Sequence, residues 1–468
     1  MSDEWDSGAV EIVDERISAR ARERARANDL PRPNRVWGSV FRAFAWLGGI
    51  VSLALVAPTV SLHDLTVAGG LATDLGRVAG MVGTYLLMVT VLLIGRIPAV
   101  ERALGQDTLV RWHRRLGPWV IGLLVAHGLL ITLGYAQAVH SGLLHEVATL
   151  VTHFPGMLGA IAGLGLIVMA GVTSYRNVRK RLRYETWWTV HLYTYLAMAV
   201  AFSHQLSTGA PFLGHPLARV YWIALWLLTA GVVLSYRVLL PLGRSLWHRL
   251  RVARVERHAP GVVSVVVRGR RLNDLPVSGG QFMNFRFRRR GLWWRGHPFS
   301  VSALPSGNEM RITVKASGEH SAALAELEPG TPVAIEGPYG SFTQHARETD
   351  RLLLVAAGVG ATPIRALLED LPRHVDVVVV LRASSSAGLV LRDEIQRLVE
   401  LRAGRLYQVV GPREQHTLDA GHLRRLAPDI AGRDVYVCGP RGFTSRLIGE
   451  ARALGVPENR IHYEDFAF

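Results

Sequence analysis

Apolar runs long enough to cross a bilayer, which takes about 20 helical residues, recur through the first half of the chain. They lie near 38–60, 76–95, 117–139, 155–173, 187–204 and 217–240. One such run alone is equally a buried soluble helix; six in series predict a membrane bundle. The run 156–171 carries Gly156, Gly159, Gly163, Gly165 and Gly171, and small residues let membrane helices approach closely. Trp112, Trp119, Trp187, Trp188, Trp222 and Trp226 fall near the predicted span ends, as an interfacial aromatic belt requires. Near 245–255 the pattern changes. Short β-rich runs follow at 262–267, 282–287 and 311–315, separated by turns such as Ser278-Gly279-Gly280, and predict a small antiparallel barrel. Past residue 350, strands 351–357, 375–381 and 434–437 alternate with helical stretches, the pattern of a parallel α/β sheet.

Composition supports this division. The 468 residues are 49% hydrophobic and suffice for two or three domains. The net charge of +16 is carried by arginine, since Lys180 and Lys315 are the only lysines. Such a balance first suggests nucleic acid, but the positions of the arginines favour membrane topology instead. Arg96, Arg102, Arg111, Arg114 and Arg115 follow the second run; Arg176, Arg179, Lys180, Arg181 and Arg183 follow the fourth; Arg237, Arg244, Arg249, Arg251, Arg254 and Arg257 follow the sixth. The intervening segments 61–74, 140–154 and 205–216 hold no Lys or Arg. Basic loops face the cytoplasm, so both termini are expected there, in a multi-pass protein of the cell membrane. Residues 1–37, charged and Pro-broken, read as a cytoplasmic tail rather than a signal peptide, with a surface helix or plain disorder equally open. The single cysteine, Cys438, excludes a disulfide framework and a cysteine-ligated iron–sulfur cluster.

Four histidines stand out. His113 and His127 lie in the third run, His191 and His204 in the fifth, both running in the same direction. The pairs His113/His191 and His127/His204 therefore sit at two depths, roughly 20 Å apart at 1.5 Å per residue. Two facing histidines can ligate one haem iron axially, and two levels allow two haems; interhelical hydrogen bonding is the blander alternative. The 14-residue step from His113 to His127 is nearly four turns. The 13-residue step from His191 to His204 falls about 140° short, which predicts a bend or local irregularity in the fifth span. His63, His140, His145, His153 and His215 read as solvated loop residues before an acceptor or metal site.

In the second half, chemistry gathers at the joints between elements. His297-Pro298-Phe299-Ser300 lies between predicted barrel strands. Taken alone it is a turn with a core Phe; as a flavin site, Phe299 stacks on the isoalloxazine, Ser300 bonds its N5, and His297 donates to a phosphate or ribityl oxygen. Lys315 to Ser321 opens a predicted helix at 321–327, either a pyrophosphate site or an ordinary Ser cap. Gly358-Val-Gly360-Ala-Thr362-Pro363 follows a strand and opens a helix, the context a dinucleotide turn requires. With Gly337 in Glu336-Gly-Pro-Tyr-Gly340 upstream and Cys438-Gly439-Pro440 after the last strand, the motif becomes specific, because ligands sit at the carboxyl ends of parallel strands. Arg382 ends the following strand, where an arginine can pair with a 2′-phosphate and favour NADPH over NADH.

Residues 38–240, through the paired histidine spacing, resemble the ferric reductase-like transmembrane domain shared by NADPH oxidases and ferric reductases. Residues 250–468, through the ordered motifs, resemble the ferredoxin–NADP⁺ reductase superfamily. The resemblance implies that His113, His127, His191 and His204 ligate two b-type haems and that His297, Pro298, Phe299 and Ser300 bind FAD, with Gly318 and Ser321 near its pyrophosphate. It further implies that Gly358, Gly360, Thr362 and Pro363 hold NAD(P)H, and that Cys438, Gly439 and Pro440 lie beside the nicotinamide. Phe468 covers the flavin on this reading, with Phe466 as the second candidate and core packing as the plain alternative for both. The expected architecture is multidomain: a tail at 1–37, a six-helix transmembrane haem bundle at 38–243, an antiparallel β-barrel FAD domain at 250–345 and an α/β parallel-sheet NAD(P)H domain at 350–468. Electrons from NADPH or NADH would pass through FAD and the haems to an acceptor on the outer face, oxygen first, with ferric iron or quinone as alternatives. A reductase subunit serving a partner protein, and a transporter with a nucleotide-sensing domain, are the other classes left open. No nucleic-acid partner is expected.

Overall fold

The computed structural model describes residues 35–466 except 260, 290–291, 294–295, 317 and 413–416. Residues 1–34 of the expected tail, and Phe468, lie outside the described residues. The chain divides into two compact units, Arg35–Arg237 and the segment from Val238 onward.

The first unit is helical. Its long helices are α1 (Arg35–Ala54), α2 (Gly70–Leu93), α3 (Gln106–Ala138), α4 (Met157–Ser174), α5 (Tyr184–Thr208) and α6 (Pro216–Leu234). Among the described residues, five helical stretches combine the length and apolarity of a membrane span, where the sequence predicts six. The exception is α5. Its 25 residues are long enough, but His191, His204 and its Trp, Tyr and Thr residues dilute its apolar character. Helix α2 packs along α3, and α4 along α5. Glycine makes the α4–α5 contact close: a Cβ on Gly159 would stand 2.5 Å from the Val200 carbonyl oxygen, and one on Gly163 2.8 Å from that of Ala197. Helix α5 runs as unbroken α-helix, without the irregularity its histidine spacing predicts. The aromatic belt also needs correcting. Trp222 is buried, because its indole N–H donates to Gln205 Oε1 at 2.8 Å inside the bundle.

The second unit begins with α7 (Leu240–His248). It docks on the sheet that follows through Ser245, whose hydroxyl accepts the Ile335 N–H at 3.0 Å and donates to the Ile335 carbonyl at 3.2 Å. Strands β1 (Arg251–Ala259), β2 (Val262–Arg268), β3 (Phe282–Phe287), β4 (His297–Ser306), β5 (Glu309–Lys315) and β6 (Val333–Tyr339) form an antiparallel sheet in the order β1-β2-β5-β4-β3-β6. Its edge strands touch through one bridge, Arg251 with Pro332. Period-two alternation drives it: Met283, Phe285 and Phe287 point into a core with Val263, Val265, Val301 and Ile312. The His297–Ser300 motif lies inside strand β4, not between strands.

A parallel sheet follows, in the order β11-β10-β7-β8-β9, built from β7 (Arg351–Ala357), β8 (Asp376–Ala383), β9 (Arg405–Val410), β10 (Asp434–Pro440) and β11 (Ile461–Phe466). Near-continuous apolar strands, buried on both faces, are what a parallel sheet between helices demands. Helices α8 (Ala361–Asp370), α9 (Arg392–Glu400) and α10 (Arg441–Ala453) connect them.

Candidate functional site

Within the helical unit, α3 and α5 bring His113 and His191 together, with ring centroids 6.0 Å apart and planes at 74°. Two imidazole nitrogens bound at about 2.0–2.1 Å on opposite sides of one metal place ring centroids roughly 6–6.5 Å apart. The Nδ1 of each of the four rings also has a partner of its own. His113 Nδ1 meets the Thr90 carbonyl at 3.1 Å and His127 Nδ1 the Gly76 carbonyl at 2.8 Å, both on α2. His204 Nδ1 meets the Ala201 carbonyl, and His191 Nδ1 lies 3.4 Å from Ser174 Oγ. Carbonyl partners at Nδ1 fix the tautomer that presents Nε2 as a ligand. Trp187 stacks on His191 at 5.3 Å and donates to the same Ser174 hydroxyl at 2.9 Å. Among the described residues no group of three or more His, Cys, Asp or Glu side chains gathers for a bare metal ion. A facing histidine pair would supply two axial ligands to a haem iron, whose other four ligands a porphyrin would provide.

In the second unit, Phe299 is partly buried against the sheet core, 6.1 Å from the stacked His297 ring and 6.4 Å from Phe285. His297 also lies 5.5 Å from His320. The Ser300 hydroxyl is buried and has no hydrogen-bond partner among the described residues. An orphaned hydroxyl costs free energy unless a ligand completes it, and the flavin role expected of Ser300 would supply that partner. The helix expected over 321–327 is instead a single turn, Glu319–Ala322, followed by a 3₁₀ turn. Ser321 therefore lies inside the turn, with its hydroxyl donating to the Gly318 carbonyl at 2.9 Å. Beside it, a cavity of about 390 Å³ is lined by Arg257, His258, Gly261, Ala316, Ser321 and Ala325.

At the carboxyl end of β7 the two glycines of the turn have different reasons to be glycine. Gly358 has φ +56° with open space where a Cβ would stand, whereas a Cβ on Gly360 would lie 2.2 Å from the Cys438 carbonyl oxygen. Thr362 is buried and its hydroxyl donates to the Val359 carbonyl at 2.9 Å; Pro363 follows it in the first turn of α8. Gly439 and Pro440 continue β10 to its end, and Gly337, at φ +121°, receives the Arg244 guanidinium on its carbonyl. Cys438 is fully buried in the apolar core, and burial pushes its thiol well above the ordinary range. Arg382 is also buried. Its guanidinium reaches the carbonyls of Ala383, Val409, Gly411 and Pro412, so in this structure it braces the β8–β9 end. Phe466 ends β11.

Sequence reading missed the helix α2 carbonyls that orient the histidines, because a backbone acceptor has no residue signature. It also missed an ionic network behind strand β4, whose members lie far apart in the sequence.

Comparison with known families agrees with this order of parts. A family described as "Ferric reductase like transmembrane component" matches residues 79–202, an "FAD-binding domain" 249–343 and an "Oxidoreductase NAD-binding domain" 354–447. The chain thus joins a segment similar to a ferric reductase-like transmembrane component to segments similar to FAD-binding and oxidoreductase NAD-binding domains. A flavohemoprotein from Chromobacterium violaceum is 30% identical over 254 residues, 48% of this chain and 61% of that protein. An NADPH oxidoreductase from Mycobacterium tuberculosis is 29% identical over 197 residues, 40% of this chain and 52% of that protein. The chain thus spans about half to three-fifths of the length of these curated relatives. Among solved structures, the FAD/NAD-binding domain of a nitric oxide dioxygenase from Vibrio cholerae is 26% identical with a TM-score of 0.41, covering 47% of this chain and 98% of that one.

Proposed function

We propose that this protein carries electrons from cytoplasmic NAD(P)H through FAD and two b-type haems to an acceptor on the outer face, oxygen in the first instance. When bound, the nicotinamide supplies a hydride, and the flavin splits it into single electrons that the haems relay. The observation that carries the reading is the His113–His191 pair, with ring centroids 6.0 Å apart and a partner of its own at each Nδ1. His127 and His204 would hold the second haem about 20 Å further along α3 and α5. Ser300 would bond flavin N5 and Phe299 would stack on the ring. The Gly358–Pro363 turn would seat the nucleotide pyrophosphate.

The domains on this reading are a membrane haem domain at 38–243, a barrel-like FAD domain at 250–345 and an NAD(P)H domain at 350–468. Orientation follows from charge. The segments after α2, α4 and α6 are rich in arginine, while 61–74, 140–154 and 205–216 hold none, which puts both termini and the nucleotide site in the cytoplasm.

The test is the purified protein in detergent. Pyridine haemochrome should give two haems per chain, and NADPH oxidation should be measured against oxygen with superoxide trapped, a ferric chelate and a quinone. One haem or none would overturn the relay. Two haems with turnover only on ferric chelate or quinone would move the acceptor and leave the relay intact.

A further inference from the structure

Helix α8 begins at the nucleotide turn, and strand β4 carries Phe299 and Ser300. Behind both runs an ionic seam, buried at Arg365 and Glu369 and part-exposed at Arg311 and Glu394. Arg311 on β5 makes a two-pronged pair with Glu394 on α9, at 2.8 and 2.7 Å. Glu394 also accepts from Arg365 Nε at 2.8 Å, and Arg365 pairs with Glu369 one turn along α8. Glu369 accepts the backbone N–H of Leu304 on β4 at 3.0 Å. The neighbouring Asp370 accepts the N–H of Gly279 at 2.9 Å, where a Cβ on Gly279 would lie 2.2 Å from the Ala366 carbonyl. Arg311 Nε reaches Ser302 Oγ at 3.2 Å, and Thr313 and Ser264 continue the line at 2.8 and 2.7 Å. The side chains of Arg365 and Glu369 are 7% and 5% exposed.

We propose that Arg311, Arg365, Glu369 and Glu394 are positioning residues that register the nucleotide helix against the flavin strand, setting the offset between nicotinamide and flavin. An apolar interface can slide by an ångström at little cost. A buried ionic one cannot, because any slip leaves a charge without its partner. Transfer between two bound reactants is correspondingly sensitive, since a displacement of about 1 Å can lower a rate on the order of 10²-fold. The inference rests on the proposed NAD(P)H-to-FAD function.

The test uses the full-length protein with FAD bound and follows flavin reduction by stopped flow at saturating NADPH. Glu394→Gln should slow reduction about 10- to 100-fold, with FAD content and NADPH affinity within about twofold of wild type. Arg311→Lys, which keeps the charge but not the two-pronged geometry, should fall between. The deciding variant is the double replacement Arg311→Met with Glu394→Leu. Apolar replacement of an ion pair largely withdrawn from water commonly preserves stability, so its melting temperature should return to the wild-type range while flavin reduction stays slow. If the double variant regains both stability and rate, the seam is only adhesive and the proposal falls. An unchanged rate in Glu394→Gln would also overturn it. A wild-type protein whose flavin NADPH never reduces would instead refute the proposed function.

Discussion

Gly80 offers the sharpest test of the histidine levels. A Cβ at this position would stand 2.5 Å from His127 Nδ1 and 2.8 Å from its Cε1. Ordinary contact begins at 3.4 Å, so in Gly80→Ala the ring must retreat by 3.4 − 2.5 = 0.9 Å or α2 must shift by as much. Either movement disturbs the bond from His127 Nδ1 to the Gly76 carbonyl, now 2.8 Å. Such a bond is worth about 0.5–1.5 kcal/mol, and disrupting the partner of a ligating histidine typically costs 10–100-fold in metal affinity. The expected outcome is selective: the His127/His204 haem is lost or spectrally altered, while the His113/His191 haem and flavin reduction persist. Haem quantification with low-temperature EPR of the purified variant reads this directly. Gly165→Ala is the control, because nothing lies within 4 Å of its Cβ position, and it should be silent. Two haems with wild-type spectra in Gly80→Ala would refute the reasoning.

Removing the orphaned hydroxyl in Ser300→Ala should leave the FAD-free protein as stable or slightly more so, while flavin reduction slows by roughly 3- to 10-fold, the worth of one hydrogen bond; thermal melts with and without FAD, and stopped flow, separate the two effects. Gly360→Ala should unfold or severely destabilise the nucleotide half, since its Cβ meets the Cys438 carbonyl at 2.2 Å, whereas Gly358→Ala should cost about 1 kcal/mol of conformational strain and weaken NAD(P)H binding; paired melts and nucleotide titrations check this. Burial alone would raise the Glu394 carboxyl, but the Arg311 and Arg365 guanidinium groups outweigh it and hold the carboxyl at about 2 against an ordinary 4.5. Its contribution to stability is therefore complete above pH 4.5 and should fade as pH drops toward about 2, and Glu394→Gln should flatten the melting-temperature profile in that window.

The parts of this fold that were legible in sequence are those with a periodic or local signature. Strands β2, β3 and β7 begin where their β-rich and apolar runs begin, and the glycine-rich face of α4 does pack closely. The meeting of His113 with His191 could be read from depth alone, because depth depends only on residue count. Their azimuth could not be read the same way, since α5 stays regular and the side chains and their carbonyl partners absorb the mismatch. The span count was clouded by the same residues that make α5 informative, because histidines and hydroxyls lower hydropathy. Trp222 misled because proximity to a span end says nothing about which side of the helix a ring occupies. At Arg382 the position at a strand end carries no sign of the backbone carbonyls that its guanidinium reaches. The ionic seam joins residues 302 to 394 through tertiary contact, where no sequence period reports it.

Helix α5 holds its two histidines by unlike means. His191 is flanked by an indole and a serine hydroxyl, whereas His204 turns to the Ala201 carbonyl of its own helix. Because the helix is unbroken across the 13 residues between them, the two rings also leave it in different directions. The proposed haems would therefore be chemically distinct, with different imidazolate character and different axial-ligand orientation. A redox titration should resolve two waves rather than one. A difference in midpoint potential between adjacent carriers gives a relay its direction, and here that asymmetry would originate in the local packing of one helix.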